Sequence, residues 1–273
     1  MPLQSTLWVA TSVVARDIGY IRSDVPDVHV REWAGTRYVR RVPDTLDLAE
    51  RAKLAINCLT SNPDPDADYE IYRLVDLARK SPSMLHNWQF VTIQPKFMEA
   101  LPLLRLASGS TQGAEIDQAW ARVALRLIGP DGLAYTPTRG RPWAAHNTWG
   151  PYPIPDGADQ FAIPYQCGRW MGALSAYCIR DGDATWSEAI ERLVSRLAEL
   201  TVDRGTWAYF PHRTWVSGET VAGTDPMPTG YPVTVCGWVI LGLCQAYRAT
   251  ADGPALELAG KLSHFVVEHG EVY

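Results

Sequence analysis

The feature that most limits the fold of this chain is an alternation. Two stretches are apolar on nearly every side, "FAIPYQCGRWMGALSAYCIRDG" (161–182) and "VTVCGWVILGLCQAYRAT" (233–250). Each is followed by an amphipathic one, "SEAIERLVSRLAELTVD" (187–203) and "PALELAGKLSHFVVEHG" (254–270). A helix that is apolar all round has to be buried on several sides, whereas a helix with one apolar stripe keeps a face in water. In 187–203 that stripe is Ile190, Leu193, Val194, Leu197 and Leu200, with charges opposite. Gly168, Gly172, Ala173 and Ala176 give the preceding segment small residues for close packing. The pattern predicts buried inner helices, each backed by an outer one.

Four earlier segments extend the series. Pro43 with Asp44 or Thr45 marks a start, and Leu46, Leu48, Ala49, Ala52, Ala55, Ile56 and Leu59 follow a helical period. A second helix is expected from Asp68 or Tyr69 to just before Pro82. A third covers about 96–107, and a fourth about 114–128, stopped by Gly129 and Pro130. Links three to four, five to six and seven to eight are short, while four to five and six to seven are long. In an antiparallel array this alternation puts the long loops at one end. The expected fold is all-α, an array of helical hairpins over 41–273, with 1–40 as an extended N-terminal segment packed on it.

Composition narrows the function. The chain has 273 residues and a net charge of -5, with its basic residues scattered. That gives no footprint for nucleic acid or for an anionic membrane surface. No run reaches the roughly 20 apolar residues a membrane span needs, and no Lys or Arg precedes the apolar patch at Leu7 to Ala15, which argues against a secretory signal. The five cysteines, Cys58, Cys167, Cys178, Cys236 and Cys244, form no C-x-x-C pair and are expected to be buried and reduced, pointing to a cytoplasmic, reducing location.

Hairpins with a buried inner and an amphipathic outer helix are similar to the (α/α) toroid of six-hairpin glycosidases and polysaccharide lyases. "PDTLDLAERAKLAINCLT", "GRWMGALSAYCIRDGD" and "GWVILGLCQAYRATADGPALELAGKLSHFVVEHG" resemble the helical domain of β-L-arabinofuranosidase-like proteins, over about residues 40 to 270. The resemblance implies a toroid and a carbohydrate ligand. A full ring has twelve helices and eight are counted here. The expectation is therefore an incomplete toroid, closed by a second copy in a homo-oligomer or by a continuation of the chain. The cysteine and glutamate metal site of those enzymes has no matching motif, so no metal or cofactor is expected and no catalytic residue carries over.

The residues themselves suggest where a sugar would sit. A sugar stacks its C–H face on aromatic rings and offers its hydroxyls to planar polar groups. The first long loop supplies Tyr135, Arg139, Arg141, Trp143, His146, Asn147, Trp149, Tyr152 and Asp159. The second, including "DRGTWAYFPHRTW", supplies Asp203, Trp207, Tyr209, His212, Arg213, Trp215, Glu219, Asp225 and Tyr231. Trp88, beside His86, Asn87 and Gln89, either lines the same cleft or seals it. Capping of the helical core by these rings is the alternative. Glycoside hydrolysis uses two carboxyl groups flanking the bond; the candidates are Asp159, Asp203, Glu219 and Asp225, with Glu219 and Asp225 favoured because Gly and Pro around them let the loop fold back. A lyase would instead use His146, His212 or Tyr209 as base and Arg213 as the neutralising cation. A non-catalytic carbohydrate-binding module is the third alternative. Asp64, Asp66 and Asp68 alternate as in a calcium loop but lack its glycine and glutamate; a solvated loop with Asp68 as helix cap is expected.

Overall fold

The computed structural model of the chain describes residues 21–22, 24–31, 47–72, 74–78, 80–81, 83–86, 90–141, 157–220 and 231–270. Seven α-helices run through these residues: α1 (Leu48–Ser61), α2 (Phe90–Ser108), α3 (Ala114–Leu127), α4 (Pro164–Asp181), α5 (Ala184–Glu199), α6 (Tyr231–Thr250) and α7 (Gly253–His269). Asp47 starts α1 by accepting hydrogen bonds from the backbone N–H groups of Ala49 and Glu50, and Asp183 starts α5 by accepting from Thr185. Such caps satisfy donors that the first turn leaves unpaired. The chain is mostly helical, as the alternation predicts.

Packing follows the inner and outer division. α4 lies between α2 and α6; α5 backs α4, α7 backs α6, and α1 backs α2. α4 and α6 approach so closely that a Cβ at Gly168 would collide with the Trp238 carbonyl, and one at Gly242 with the backbone of Gly168. Glycine is what permits this contact. Early residues of α4 face early residues of α6, and at the far end Cys178 lies by the Ala249 carbonyl, so these two helices run parallel. Midway, Gln245 on α6 donates to Glu99 on α2 across Gly172. The stripe predicted for α5 is buried in full, from Ile190 through Leu200.

Links 109–113, 182–183 and 251–252 are short, and 62–89, 128–163 and 200–230 are long. Each long link carries a small antiparallel ladder: β1 (Leu74–Asp76) with β2 (Ser83–Leu85), β3 (Thr136–Pro137) with β4 (Gln160–Phe161), and β5 (Val202–Asp203) with β6 (Ala208–Tyr209). The last two long links are stitched together: Ala162 and Trp215 exchange backbone hydrogen bonds of 2.7 and 2.8 Å. Residues 21–22 and 24–31 run along α3. There the backbone of Val30 pairs with the Gln118 amide, and Arg126 holds Asp27 at 3.1 Å.

The second expected helix does not form. In its place stand a 3-10 turn (Pro65–Ala67) and the β1–β2 hairpin. Asp68 and Tyr69 adopt left-handed φ values of 54° and 57°, which reverses the chain where the helix was to begin. Farther on, the Asp76 side chain accepts from the Ala78 N–H and turns the chain again. Asp68 is thus the C-cap of the 3-10 turn and does not start a helix. α2 begins at Phe90 rather than near Lys96 and runs through Pro95 and Pro102. Asp159 does not cap α4, whose N-cap is Ile163. The cysteines are all free, but Cys58 and Cys244 are exposed; only Cys167 and Cys236 are fully buried, where burial pushes each thiol up to about 12.

Candidate functional site

The most concentrated chemistry lies where the long link before α2 meets the start of the long link before α4. Asp64 opens the 3-10 turn, its side chain accepting from the Asp66 N–H at 3.0 Å. Its backbone N–H donates to the Glu70 carbonyl, so the loop closes on itself and brings the two acids side by side. α3 pins the loop from outside: the Trp120 indole donates to the Tyr69 carbonyl at 2.8 Å, and Arg122 reaches Asp68 at 3.5 Å. Two consecutive left-handed residues that are not glycine cost on the order of 1–2 kcal/mol each and persist only where the surroundings hold them.

His86, arriving on the strand end after β2, enters this loop. Its Nε2 lies 2.8 Å from Asp64 Oδ2, and its Nδ1 lies 3.3 Å from the Ile71 carbonyl and 3.7 Å from Glu70 Oε1. The two ring nitrogens thus meet acceptors on both sides, and the ring donates to both only when doubly protonated. The Tyr72 ring stacks on the imidazole at 4.5 Å, and its hydroxyl hydrogen-bonds to Asp64. Arg141, from the other long link, brings Nη1 to 3.6 Å from Glu70 Oε2. The first turns of α2 complete the wall, with Gln94 accepting from the Ile71 N–H at 3.2 Å.

All of this is nearly dry. The side chains of Glu70 and Arg141 are 1% and 0% exposed, and those of His86 and Asp64 7% and 12%. Burial alone would raise the Asp64 carboxyl, but hydrogen bonds from His86, the Asp66 N–H and Tyr72 outweigh it and hold the group below its ordinary value. Burial pulls Arg141 down, against the opposing pull of Glu70 and Asp68. A carboxylate, an imidazole, a second carboxylate and a guanidinium in sequence can hold, orient and pass a proton.

The residues singled out in the two aromatic loops are placed differently. Tyr135 is a core residue; its hydroxyl donates to Asp131 at 2.5 Å, and burial, followed by that carboxylate, raises it far above the usual phenol range. Trp215 is also core, 1% exposed, with His212 edge-on against it at 4.9 Å. Trp207 and Tyr209 pack on Phe265 of α7 at 5.7 and 5.5 Å, and Trp207 also meets His269. Arg213 is half-buried. Asp203 is exposed and bound to Lys261 at 2.8 Å; Asp159 is exposed and paired with Arg139. Glu219 accepts from the Val216 N–H within its own turn, while its carbonyl accepts from Arg196. Trp88, Trp143, His146, Trp149 and Asp225 lie outside the described residues. Thus the two loops do meet at one end, but their described rings are used in packing. Among the described residues no three or more His, Cys, Asp or Glu side chains, the Asp64–His86–Glu70 group included, are placed to hold a metal ion together.

Asp64 was legible only as one acid of an alternating, solvated loop and Glu70 carried no signal, since nothing in "NPDPDADYE" shows that the loop folds back on His86. The one usable sign was the density of acids over 62–70 in the same inter-helix link as His86, which Trp88 and Phe90 follow in sequence. No protein-family model matches the chain, and no curated protein matches its sequence. No helix among the described residues is long and apolar enough to cross a membrane.

Proposed function

We propose that this chain is a carbohydrate-active protein, a glycoside hydrolase, whose proton-handling groups are Asp64, Glu70 and His86 rather than the acids of the second aromatic loop. The observation that carries this reading is the buried carboxylate–imidazole–carboxylate cluster at the N-terminal end of α2, the end into which the long links run. Hydrolysis of a glycoside needs one group to give a proton to the leaving oxygen and another to activate water or attack carbon. Two carboxyls flanking an imidazole, one of them held ionised, supply both kinds of group. The toroid belongs to the same reading. α2, α4 and α6 form an adjacent inner row with outer helices behind, which supports an arc of an (α/α) ring with its cleft at the N-terminal ends of the inner helices. Helix N-termini there carry positive dipole ends that favour carboxylates.

A lyase is the second reading, favoured by one feature: His86 is oriented by Asp64 as a base would be, and Arg141 stands near as a cation able to neutralise a uronate carboxylate. The products separate the two. Incubation with a panel of neutral and acidic oligosaccharides should release new reducing ends without ultraviolet absorbance for a hydrolase; an absorbing unsaturated product means a lyase. Release of neither product from any member, with sugar still bound, would leave a binding module and overturn the enzyme reading.

A further inference from the structure

A recess of about 130 Å³ opens between α2, α4 and α6, along their middle and C-terminal turns and away from the Asp64–His86–Glu70 group. Its floor is Gly172, one turn before Ser175 on α4; α2 contributes Glu99, and α6 contributes Gln245 with Arg248 one turn further on. A carboxylate only accepts, so the Gln245 amide nitrogen faces Glu99 Oε1, at 2.5 Å, and its own Oε1 is turned away from that bond. This oxygen and Glu99 Oε2 converge over Gly172, lying 2.6 and 3.2 Å from the point a Cβ there would occupy. Among the described residues neither receives a hydrogen bond. Ser175, 2% exposed, adds a third oxygen to the same wall, buried and without a hydrogen-bond partner among the described residues.

Three oxygens around one glycine call for a donor with several protons. A hydroxyl brings one, whereas a primary ammonium brings three and adds the charge that strengthens a bond to carboxylate. The neighbouring cation of α4 does not fill this role: Arg169 feels the Glu99 charge but is laid over the Trp238 ring at 3.4 Å. At the outer end of the recess Arg248 is exposed and makes no ion pair among the described residues, so it offers a guanidinium to an anion. Leu103 and Ile179, also half in water, leave the sides apolar. The volume is that of about four waters, so the occupant is small. We propose that the recess binds a free, small aliphatic α-amino acid, its ammonium over Gly172 against Glu99, Gln245 and Ser175, and its carboxylate toward Arg248. This site stands apart from the carbohydrate reading and does not depend on it.

The test is calorimetric titration of the full chain with glycine, L-alanine and L-valine, and with propanoate and ethylamine, which lack the ammonium and the carboxylate of alanine in turn. Glu99→Gln and Ser175→Ala are measured alongside, with thermal melting followed by circular dichroism as the check on folding. Ser175→Ala removes a hydroxyl that bonds to no described residue, so its melting temperature should hold, and it carries the test if Glu99→Gln fails to fold. The expected result is that one of the amino acids binds at least about tenfold tighter than propanoate or ethylamine. Glu99→Gln should weaken it at least about tenfold, the scale of a hydrogen bond to a charged group, and Ser175→Ala about threefold or more. Three results overturn the site: no binding of any of the three amino acids, ethylamine or propanoate bound as tightly as the best of them, or an affinity unmoved by the folded variants.

Discussion

Two clusters of buried charge sit at opposite ends of α2, and they are built to different standards. At the C-terminal end, Arg105 donates to Asp117 and to the carbonyls of Ser110, Gln112 and Gly113. Arg180 takes the other oxygen of Asp117 at 2.6 Å and both oxygens of Asp181. Both guanidinium groups and the central carboxylate are fully engaged within one geometry, which ties α2, α3 and α4 together. At the N-terminal end, acids, imidazole and guanidinium meet at 2.8 to 3.7 Å around a left-handed backbone. Buried atoms there, Asp68 Oδ2 and Gln94 Nε2, have no hydrogen-bond partner among the described residues. Burial alone therefore does not separate the two clusters; they differ in how closely their charged groups are paired, at 2.5 to 2.8 Å in the C-terminal one and 2.8 to 3.7 Å in the N-terminal one. A closely paired network resists change, while one that stores strain and leaves a donor and an acceptor without partners among the described residues is the better candidate for a working site.

The sharpest way to break this comparison is at the cement. Asp117→Asn removes the charge between two arginines whose side chains are 1% and 2% exposed. Leaving buried cations without their counter-charge costs about 3–5 kcal/mol, a large part of the roughly 5–15 kcal/mol that holds a domain folded. Urea unfolding should show the drop, and a loss under about 1 kcal/mol would mean the cluster is not cement. At the other end, His86→Gln keeps a polar side chain but cannot pass a proton. Turnover should fall at least about a hundredfold, the scale of losing an acid–base group, with a small change in the unfolding midpoint.

A smaller effect reads the N-terminal cluster by pH. The folded Asp64 carboxyl lies below its ordinary value of 3.8, so its contribution to stability is fully present above that value and is lost as pH falls through the lower, folded one. Unfolding free energy followed below pH 5 should lose this acid limb in Asp64→Asn and keep it in Glu219→Gln. The smallest change is expected from Glu219→Gln itself. Among the described residues its carboxylate accepts a hydrogen bond within its own turn, so stability should move by no more than about 1 kcal/mol and turnover should hold. A hundredfold loss there would return the chemistry to the second aromatic loop.

Much of the architecture was readable in advance because it depends on periodicity. Ile190, Leu193, Val194 and Leu197 had to share a face whatever lay beyond it, and Gly168 announced a close approach. The α2–α3, α4–α5 and α6–α7 links were short enough to dictate hairpins. What failed depended on single backbone angles. Leu74 and Leu77 suit a helix by spacing, yet Asp68 and Tyr69 turn left-handed just before them, and Tyr69 has no sequence signature for that conformation. The site failed for a related reason. "DRGTWAYFPHRTW" drew attention by its rings, but Trp207, Tyr209, Phe210 and Trp215 seal the core against α7 and the neighbouring loop. Asp64, Glu70 and His86 become neighbours only through the fold-back of the loop, which local pattern does not encode.

The most direct test measures turnover of a glycoside and urea unfolding together for the wild type, Asp64→Asn and Asp117→Asn. If the N-terminal cluster works and the C-terminal one binds the fold, Asp64→Asn loses turnover by at least about a hundredfold while losing less stability than Asp117→Asn. Asp117→Asn then loses stability while its folded fraction retains wild-type turnover. The opposite pairing, an active Asp64→Asn and a stable but inactive Asp117→Asn, would contradict the account.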